Sequence, residues 1–342
     1  MKKRLLFMVM LIFVISIIFT GCSGEETGSS EETGSSEETG SVTKIDIATI
    51  YDGKAPPTLG TAKFKELVEE KSNGLIEVNI FASGALGSEK DTFNQLAGDE
   101  LQMILGGIQG VDQFASEYMF ITAPYLIKDW DHIRSILEGD LGKEMISALD
   151  KENVHMLATN YRGIRNTSAN KPIRTAEDMK GLKLRLPEVE SWVASWKDIG
   201  AMPTPVALPE LYGALQTNVV DASEGPYEQM ATFKLYEVQD YVIETNHVYE
   251  PCWLYISKTF LDSLPEEQRN IIISSANEAM LYADELAEEM ASGFLKEMTD
   301  NGSEFIKPDL ETFFETAEPG LKKMFETSWT VTTYEEVMDY SK

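Results

Sequence analysis

The stretch that decides the fold is Gly181–Pro226, which reads GLKLRLPEVESWVASWKDIGAMPTPVALPELYGALQTNVVDASEGP. Short apolar runs alternate in it with amphipathic segments, and Gly, Pro and Asn lie at their boundaries. The pattern predicts a strand at 182–186, helices at 191–199 and 210–216, and a strand at 219–222. Strands separated by helices are typical of an α/β domain with a largely parallel sheet.

The same pattern extends outward on both sides. Upstream it predicts strands at 44–50, 76–81, 101–105 and 154–158, and helices at 61–71, 89–97 and 131–149. Downstream it predicts strands at 241–245 and 253–257, followed by a helical run that ends near Met298. That run is either one unbroken helix or two helices separated near Ser292-Gly293. A globular part of about 300 residues is enough for two domains.

Arg185 lies between two leucines at the end of the first predicted strand in the opening stretch. A guanidinium group can donate two parallel hydrogen bonds to a carboxylate, and it stays charged. At the carboxyl end of a strand in an α/β domain it would face the crevice where ligands bind. Two alternatives stay open here. Arg185 can instead be exposed and paired with Glu188 or Glu190. Trp192 and Trp196, which share a helix face, can be core residues and not a ligand wall.

No catalytic constellation occurs in the sequence. The three histidines, His132, His155 and His247, have no metal-ligand spacing, and there is no GxSxG motif. The glycines at 106–110 lack the lysine of a phosphate-binding loop. Only two cysteines are present, and one of them is near the N-terminus, which excludes zinc and CxxC redox sites. We therefore predict a protein that is not an enzyme and that has no metal or cofactor.

The N-terminal residues are typical of an export signal. Three basic residues at 2–4 precede an apolar run at 5–19, and Thr20-Gly21-Cys22 follows. Because this resembles a bacterial lipobox, we predict a lipoprotein signal peptide at 1–21 and lipidation of Cys22. A retained transmembrane helix and a plain secreted protein are the alternatives.

After the cysteine, the unit EETGSS recurs, which predicts a flexible Glu/Gly/Ser/Thr tether at 22–41. The formal net charge of the whole chain is −28. A surface of this sign argues against nucleic-acid binding. It does not argue against an anionic ligand, because a pocket can have a local charge of its own.

Several motifs in the opening stretch occur in the order and at the spacing of one known family. Gly181–Pro187 fits the pattern G-L-K-[IL]-R-[VL]-P, Gly200–Pro205 fits G-A-x-P-T-P, and Glu210–Gln216 fits E-[VL]-Y-x-A-L-Q. Together with Val220-Asp221 and Glu224, these residues resemble the DctP-type solute-binding proteins of TRAP (tripartite ATP-independent periplasmic) transporters. The resemblance extends over nearly all of the chain after the tether.

The resemblance implies an α/β fold with two lobes, similar to class II periplasmic-binding proteins, and a long C-terminal helix that spans both lobes. It implies that residues 42–162 and 251–290 form lobe I, and that residues 163–250 and 291–342 form lobe II.

The resemblance also implies roles for particular residues. Arg185 corresponds to the arginine that forms the bidentate pair with the ligand carboxylate, and Arg165 is expected near the same anion. Glu224 is expected to meet a ligand hydroxyl or a cation, or else to make a hinge or inter-strand contact. The candidate wall residues, each equally consistent with ordinary core packing, are Tyr51, Trp192, Tyr227 and Trp253.

Three positions depart from the sialic-acid binders of that family. Those proteins have asparagine at the position of Gly225, phenylalanine at that of Leu208, and an acidic residue at that of Gly107. The absence of all three argues against sialic acid as the ligand.

We therefore expect an extracytoplasmic lipoprotein, anchored at the outer face of the cell membrane or periplasmic, and monomeric. It would capture a small organic acid and deliver it to the membrane permease of a TRAP transporter. C4-dicarboxylates, sugar acids, oxo acids and aromatic acids all stay open as ligands. The alternatives are a surface-anchored carbohydrate-active hydrolase and the ligand-binding module of a sensory system.

Overall fold

The computed structural model describes residues 42–342. The predicted signal peptide, the predicted lipidation site Cys22 and the predicted tether lie outside the described residues and stay predictions. Within residues 42–342, no helix combines the length and the apolar character that crossing a bilayer requires.

The strands in this part of the chain are β1 (Thr43–Ala48), β2 (Ile76–Phe81), β3 (Met103–Gly106), β4 (Val154–Ala169), β5 (Lys183–Leu186), β6 (Met202–Pro205), β7 (Ala222–Gly225), β8 (Tyr241–Ser257) and β9 (Glu304–Ile306). The α-helices are α1 (Pro56–Lys71), α2 (Glu89–Ala97), α3 (Gln109–Phe114), α4 (Trp130–Glu138), α5 (Asp140–Lys151), α6 (Glu190–Asp198), α7 (Leu211–Gln216), α8 (Tyr227–Thr232), α9 (Lys258–Ser263), α10 (Glu266–Asp300), α11 (Leu310–Thr327) and α12 (Tyr334–Asp339).

The strands form one mixed sheet in the order β2-β1-β3-β8-β4-β7-β5-β6, and β9 pairs with β8. The α/β class is confirmed, and five of the eight strand pairings in residues 42–342 are parallel, but the two longest strands pair antiparallel. β1 pairs in parallel with β2 and β3, and β5 pairs in parallel with β6 and β7. Between these groups, β4 and β8 pair antiparallel to each other, to β3 and to β7. We call β4 and β8 the crossing strands, because they join the two parallel groups.

The crossing strands are longer than the sequence patterns predicted, with 16 residues in β4 and 17 in β8. The patterns predicted only their apolar ends, because charged residues such as Arg162, Arg165 and Glu250 interrupt the apolar run. The pairing register shifts between Tyr161 and Gly163, which face Pro251 and Glu250. The predicted lobe boundaries at 162/163 and 250/251 fall at this irregularity, and the division into lobes stays a prediction.

The long C-terminal helix is confirmed. α10 has 35 residues and is unbroken at Gly293, which resolves the alternative left open by the sequence. It packs along α1 and β4. The single helix predicted at 131–149 was wrong, because Gly139 separates α4 from α5 in an extended conformation. Any side chain at Gly139 would meet the ring of Tyr340, since a Cβ there would lie 2.5 Å from it.

The apolar core lies on both faces of the sheet. Alternate residues of β8 show this: Trp253 and Tyr255 belong to one buried cluster, while Leu254 and Ile256 belong to the other. α10 and α1 cover the second face, and α2 to α6 with α11 cover the first. Helices on both faces leave the loops at the strand ends as the place for a ligand site.

Candidate ligand-binding site

A cavity lies between the two parallel strand groups, beside the middle of the crossing strands. We call it the cleft cavity. Its lining includes three arginines, Arg162, Arg165 and Arg185. Its volume is only about 50 Å³, so its walls are close together. Small-molecule sites usually have roughly 300–1,000 Å³, so binding of a ligand here would require these walls to part.

Arg185 reaches the cleft cavity from the carboxyl end of β5. Its side chain is buried, with 2% of the residue exposed, and its Nε donates a hydrogen bond to the carbonyl of Val206 at 2.8 Å. Within residues 42–342 no carboxylate forms an ion pair with it, so the surface pair with Glu188 or Glu190 does not occur. Burial lowers the pKa of Arg185 to about 10, which leaves the guanidinium charged at neutral pH but without a protein counterion.

Arg165 faces the same cavity from β4, but its charge is already neutralised. Its Nε lies 2.5 Å from Oε2 of Glu224, and its Nη2 donates to Oε1 at 2.7 Å. Its Nη1 lies 2.6 Å from Oε1 of Glu250. The guanidinium carbon also lies 4.9 Å from the ring centroid of Trp192, a cation–π contact. Arg165 is therefore held rigidly by protein groups.

Arg162 is a site residue that the sequence analysis missed. Its Nη2 lies 2.9 Å from Oε2 of Glu228, and its Nη1 lies 3.3 Å from Oε2 of Glu250. Its guanidinium carbon is 4.0 Å from the ring centroid of Tyr51. On a regular strand, residues three apart point to opposite faces. The register shift at Tyr161/Gly163 lets Arg162 and Arg165 share Glu250, and no pattern of residue types predicts that shift.

Glu224 lies behind the cavity wall on β7, with 1% of the residue exposed. Burial alone would raise its pKa, but Arg165 and a hydrogen bond from His247 outweigh burial and lower the pKa to about 2. Burial lowers the pKa of His247, which favours the neutral ring. Its Nε2 lies 3.0 Å from Oε2 of Glu224, and its Nδ1 lies 2.9 Å from Oγ1 of Thr245. Because the carboxylate can only accept, Nε2 carries the proton and Nδ1 accepts from the threonine hydroxyl.

Glu89, at the start of α2, is a second residue that the sequence analysis missed. Its Oε1 accepts a hydrogen bond from the backbone N–H of Gly107 at 2.6 Å. Burial raises the pKa of Glu89 to about 7, with a further contribution from the charge of Glu250. A Cβ at Gly107 would lie 2.9 Å from Oη of Tyr51 and 3.7 Å from Oε1 of Glu89. These oxygens therefore converge beside Gly107, where only glycine leaves room for a ligand group.

The predicted wall residues separate into two sets. Tyr51 and Trp192 line the cleft cavity. Tyr227 lines a different cavity, and its hydroxyl donates to Glu244 at 2.9 Å. Trp253 is fully buried against Tyr255 and lines neither of these cavities. Glu224 does not line the cleft cavity, but it contacts two residues that do: its carboxylate pairs with Arg165, and its backbone carbonyl accepts a hydrogen bond from Gln229.

The cleft cavity thus combines buried cations, aromatic walls and a few converging oxygens, as small-molecule sites do. Comparison with known proteins also indicates a protein that binds small molecules. The family model for bacterial extracellular solute-binding proteins of family 7, DctP, matches residues 47–328. This chain belongs to that family.

Two curated relatives illustrate the similarity. The C4-dicarboxylate-binding periplasmic protein DctP of Rhodobacter capsulatus is 31% identical over 72% of this chain and 75% of its own length. The sialic acid-binding periplasmic protein SiaP of Vibrio cholerae is 32% identical over 77% of this chain and 82% of its own. The two relatives differ in ligand at nearly equal identity, so identity alone does not assign a ligand here.

Solved structures agree on the fold. A TRAP periplasmic solute-binding protein from Roseobacter denitrificans, with bound L-galactonate, has a TM-score of 0.83 and 25% identity, covering 88% of this chain and 99% of its own. One from Sulfitobacter sp. NAS-14.1, with bound β-D-galacturonate, has a TM-score of 0.80 and 26% identity, covering 87% and 98%. This family member is accordingly an extracytoplasmic solute-binding protein of TRAP transport and not an enzyme.

Proposed function

We propose that this family member captures a small, hydroxylated monocarboxylate, such as a sugar acid, and that Arg185 binds its carboxylate. The observation that carries the proposal is the buried guanidinium of Arg185 without a protein counterion. An isolated buried charge is costly unless it is paired. A ligand carboxylate supplies the missing partner, and the planar fork of arginine suits its two oxygens.

The charges around the cleft cavity favour a single ligand carboxylate. Arg162 and Arg165 are already matched by three buried carboxylates, those of Glu224, Glu228 and Glu250. Arg185 is thus the one guanidinium of the three without an ion pair in the described part of the chain. A second ligand carboxylate directed at Gly107 would meet the oxygens of Glu89 and Glu250, which is unfavourable for a dicarboxylate. The other lining cation without an ion pair in the described part of the chain is Lys90, which is exposed to solvent.

The oxygens beside Gly107 suit hydroxyl groups. Oη of Tyr51 and the carboxyl groups of Glu89 and Glu250 lie near one point beside Gly107. Hydroxyl groups can donate to carboxylate oxygens and accept from the tyrosine hydroxyl. The bound L-galactonate and β-D-galacturonate of the similar structures combine one carboxylate with several hydroxyls, which supports the same class of ligand for this chain.

Sialic acid fits this cavity less well. A Cβ at Gly225 would lie 2.3 Å from Nε2 of Gln229, so the asparagine of sialic-acid binders would displace that glutamine. Gln229 lines the cleft cavity and donates to the carbonyl of Glu224 at 3.1 Å. We propose an acid smaller than sialic acid for this reason.

Capture would proceed by closure of two lobes, 42–162 with 251–290 and 163–250 with 291–342, about the crossing strands. The ligand would bridge them, with its carboxylate on Arg185 and its hydroxyls near Glu89. The loaded protein would then deliver the acid to a TRAP membrane permease. We also propose the lipid anchor at Cys22, the tether at 22–41, the location at the outer membrane face and the monomeric state on the sequence evidence alone.

The test is isothermal titration calorimetry of residues 42–342 with a panel of hexonates, hexuronates and C4-dicarboxylates. For the best ligand, Arg185→Ala should weaken binding by about 2–5 kcal/mol, roughly 30- to 5,000-fold, because it removes one partner of a buried charge pair. Arg185→Lys should weaken binding as well, since an ammonium group cannot replace the two-pronged fork.

The matched control is Arg174→Ala, which removes an exposed arginine away from the cleft cavity. It should leave affinity unchanged. Equal affinity of the Arg185→Ala variant and the control would overturn the role of Arg185. A preference for C4-dicarboxylates over hexonates and hexuronates would overturn the ligand class while leaving that role intact.

A further inference from the structure

A second cavity lies behind the crossing strands, between β4, α4, α8 and α10, and we call it the back cavity. We propose that the back cavity binds an amphipathic organic cation, an aromatic group that carries an alkylammonium. The back cavity shares one lining residue, Arg162, with the cleft cavity.

The back cavity has the size of a small-molecule site. Its volume is about 370 Å³, within the range of roughly 300–1,000 Å³ that is usual for such sites. It is therefore several times larger than the cleft cavity. Its walls come from helices and strands and not from loop tips, so its shape is set by the packed body of the protein.

Four of the lining residues are aromatic, and the remaining apolar ones are proline, isoleucine and alanine. Trp130 packs edge-on against Tyr161, with ring centroids 5.3 Å apart, and against Tyr249 at 5.2 Å. Tyr227 and Phe294 line the cavity as well. Aromatic side chains fixed by one another in this way suit both stacking on a ligand ring and cation–π contact with an ammonium group.

The charged part of the lining consists of three carboxylates, Glu228, Asp284 and Glu288, and two arginines, Arg134 and Arg162. Asp284 and Glu288 lie one turn apart on α10 and line the cavity, Asp284 as a half-buried residue and Glu288 as an exposed one. Oδ1 of Asp284 accepts from Nδ2 of Asn160 at 2.6 Å and from the N–H of Tyr161 at 2.7 Å. Neither carboxylate forms an ion pair in the described part of the chain.

The other charged residues of the lining do not neutralise Asp284 and Glu288. Glu228 is buried and lines the cavity, but its charge is matched by Arg162. The other lining cation, Arg134, stacks on Tyr161 with its guanidinium carbon 4.5 Å from the ring centroid. Two unpaired carboxylates against one arginine leave a net negative charge beside aromatic walls, and an organic cation matches both features.

The test uses three probes with the same ring: 2-phenylethylamine, 2-phenylethanol and 3-phenylpropionate. Calorimetry or ligand-observed NMR should show binding of the amine at least tenfold tighter than that of the alcohol, and weakest binding for the acid. Glu288→Gln should weaken the amine severalfold. Ala287→Leu, which fills the cavity from α10, should weaken the amine and the alcohol alike.

Two control variants show whether the amine binds in the back cavity or elsewhere on the protein. Glu289→Gln removes an exposed charge from the same turn of α10 without touching the cavity, so it controls for general attraction of cations to an acidic protein. Arg185→Ala should leave amine binding unchanged, because Arg185 lies in the cleft cavity. Equal binding of amine and alcohol, or equal losses in Glu288→Gln and Glu289→Gln, would overturn the proposal, and neither result would bear on capture of the acid.

Discussion

The region around Arg185 and the region around Arg162 and Arg165 border the same cavity. The arginines in the two regions differ in the partners that surround them. All three guanidinium groups are buried, with 2–4% of each residue exposed. Arg162 and Arg165 are surrounded by carboxylates and stacked on aromatic rings. Arg185 has one hydrogen bond, to a backbone carbonyl, and no carboxylate partner among the described residues.

This difference assigns a structural role to Arg162 and Arg165 and a ligand-binding role to Arg185 within one site. A buried arginine that the protein itself neutralises holds the crossing strands together. A buried arginine without a protein counterion lowers the free energy of unfolding. Binding of an anion supplies the counterion and removes this destabilisation. Loss of the charge should therefore have opposite effects on stability and on binding at the two places.

The largest effect is expected at the paired arginine. Arg165→Met removes a cation that the buried carboxylates of Glu224 and Glu250 share. The free energy of unfolding, measured in urea, should therefore fall by about 3–5 kcal/mol. Replacing both partners, in Arg165→Met with Glu224→Gln, should cost less than the sum of the single changes, because no buried charge is then left alone. Strict additivity of the two changes would contradict the assignment of this pair as a structural unit.

A smaller effect is expected from Glu89, through pH. Its pKa is raised by burial to about 7, so the folded protein holds this proton more tightly than the unfolded chain does. The free energy of unfolding contributed by this carboxyl should therefore fall as pH rises from about 4.5 to 7. Ionised Glu89 repels an anionic ligand that is bound near it. The affinity for the ligand should therefore also fall above pH 7, by at most about tenfold per pH unit.

Calorimetric titrations at several pH values between 6 and 8 measure this coupling. Glu89→Gln should flatten the pH dependence of the affinity, while Glu77→Gln, a change at an exposed glutamate of β2, should leave it as it is. If affinity depends on pH in the same way in both variants, the ionisation of Glu89 is not coupled to ligand binding.

The smallest effect is expected at Gly225. Asparagine there must displace Gln229, which costs one hydrogen bond to the carbonyl of Glu224 and should weaken binding of the acid by about 1 kcal/mol, roughly fivefold. Gly213→Asn is the matched control, because a side chain at Gly213 meets no atom within 4 Å. A gain of sialic-acid affinity in Gly225→Asn would show that this position contributes to the choice of ligand, and unchanged affinity for the acid would contradict the role given to Gln229.

The sequence predicted those parts of the fold in which local pattern and tertiary structure agree. Apolar periodicity identified α1, α2 and the long α10, and the motif around Arg185 placed that residue at the end of β5. The pattern failed in the crossing strands, where charged residues occupy buried positions because they neutralise one another across 59 to 88 residues of chain. No local signal reports such partners, so Arg162 and Glu250 were missed.

The aromatic predictions show the same limit. Tyr51 and Trp192 line the cleft cavity, while Trp253 is buried in the core and Tyr227 lines the back cavity. Composition and spacing do not distinguish these four aromatic residues. What separates them is where the folded chain places each side chain relative to the cavities, which only the assembled sheet determines.

The most direct test of the difference between the arginines is urea unfolding of Arg185→Met, measured with and without saturating acid ligand. We predict that the variant without ligand is as stable as the unchanged protein or more stable, since an unpaired buried charge is replaced by an apolar side chain of similar length. We also predict that the ligand, which stabilises the unchanged protein, no longer stabilises the variant. A loss of several kcal/mol without ligand, together with full stabilisation by ligand, would contradict the proposed role of Arg185.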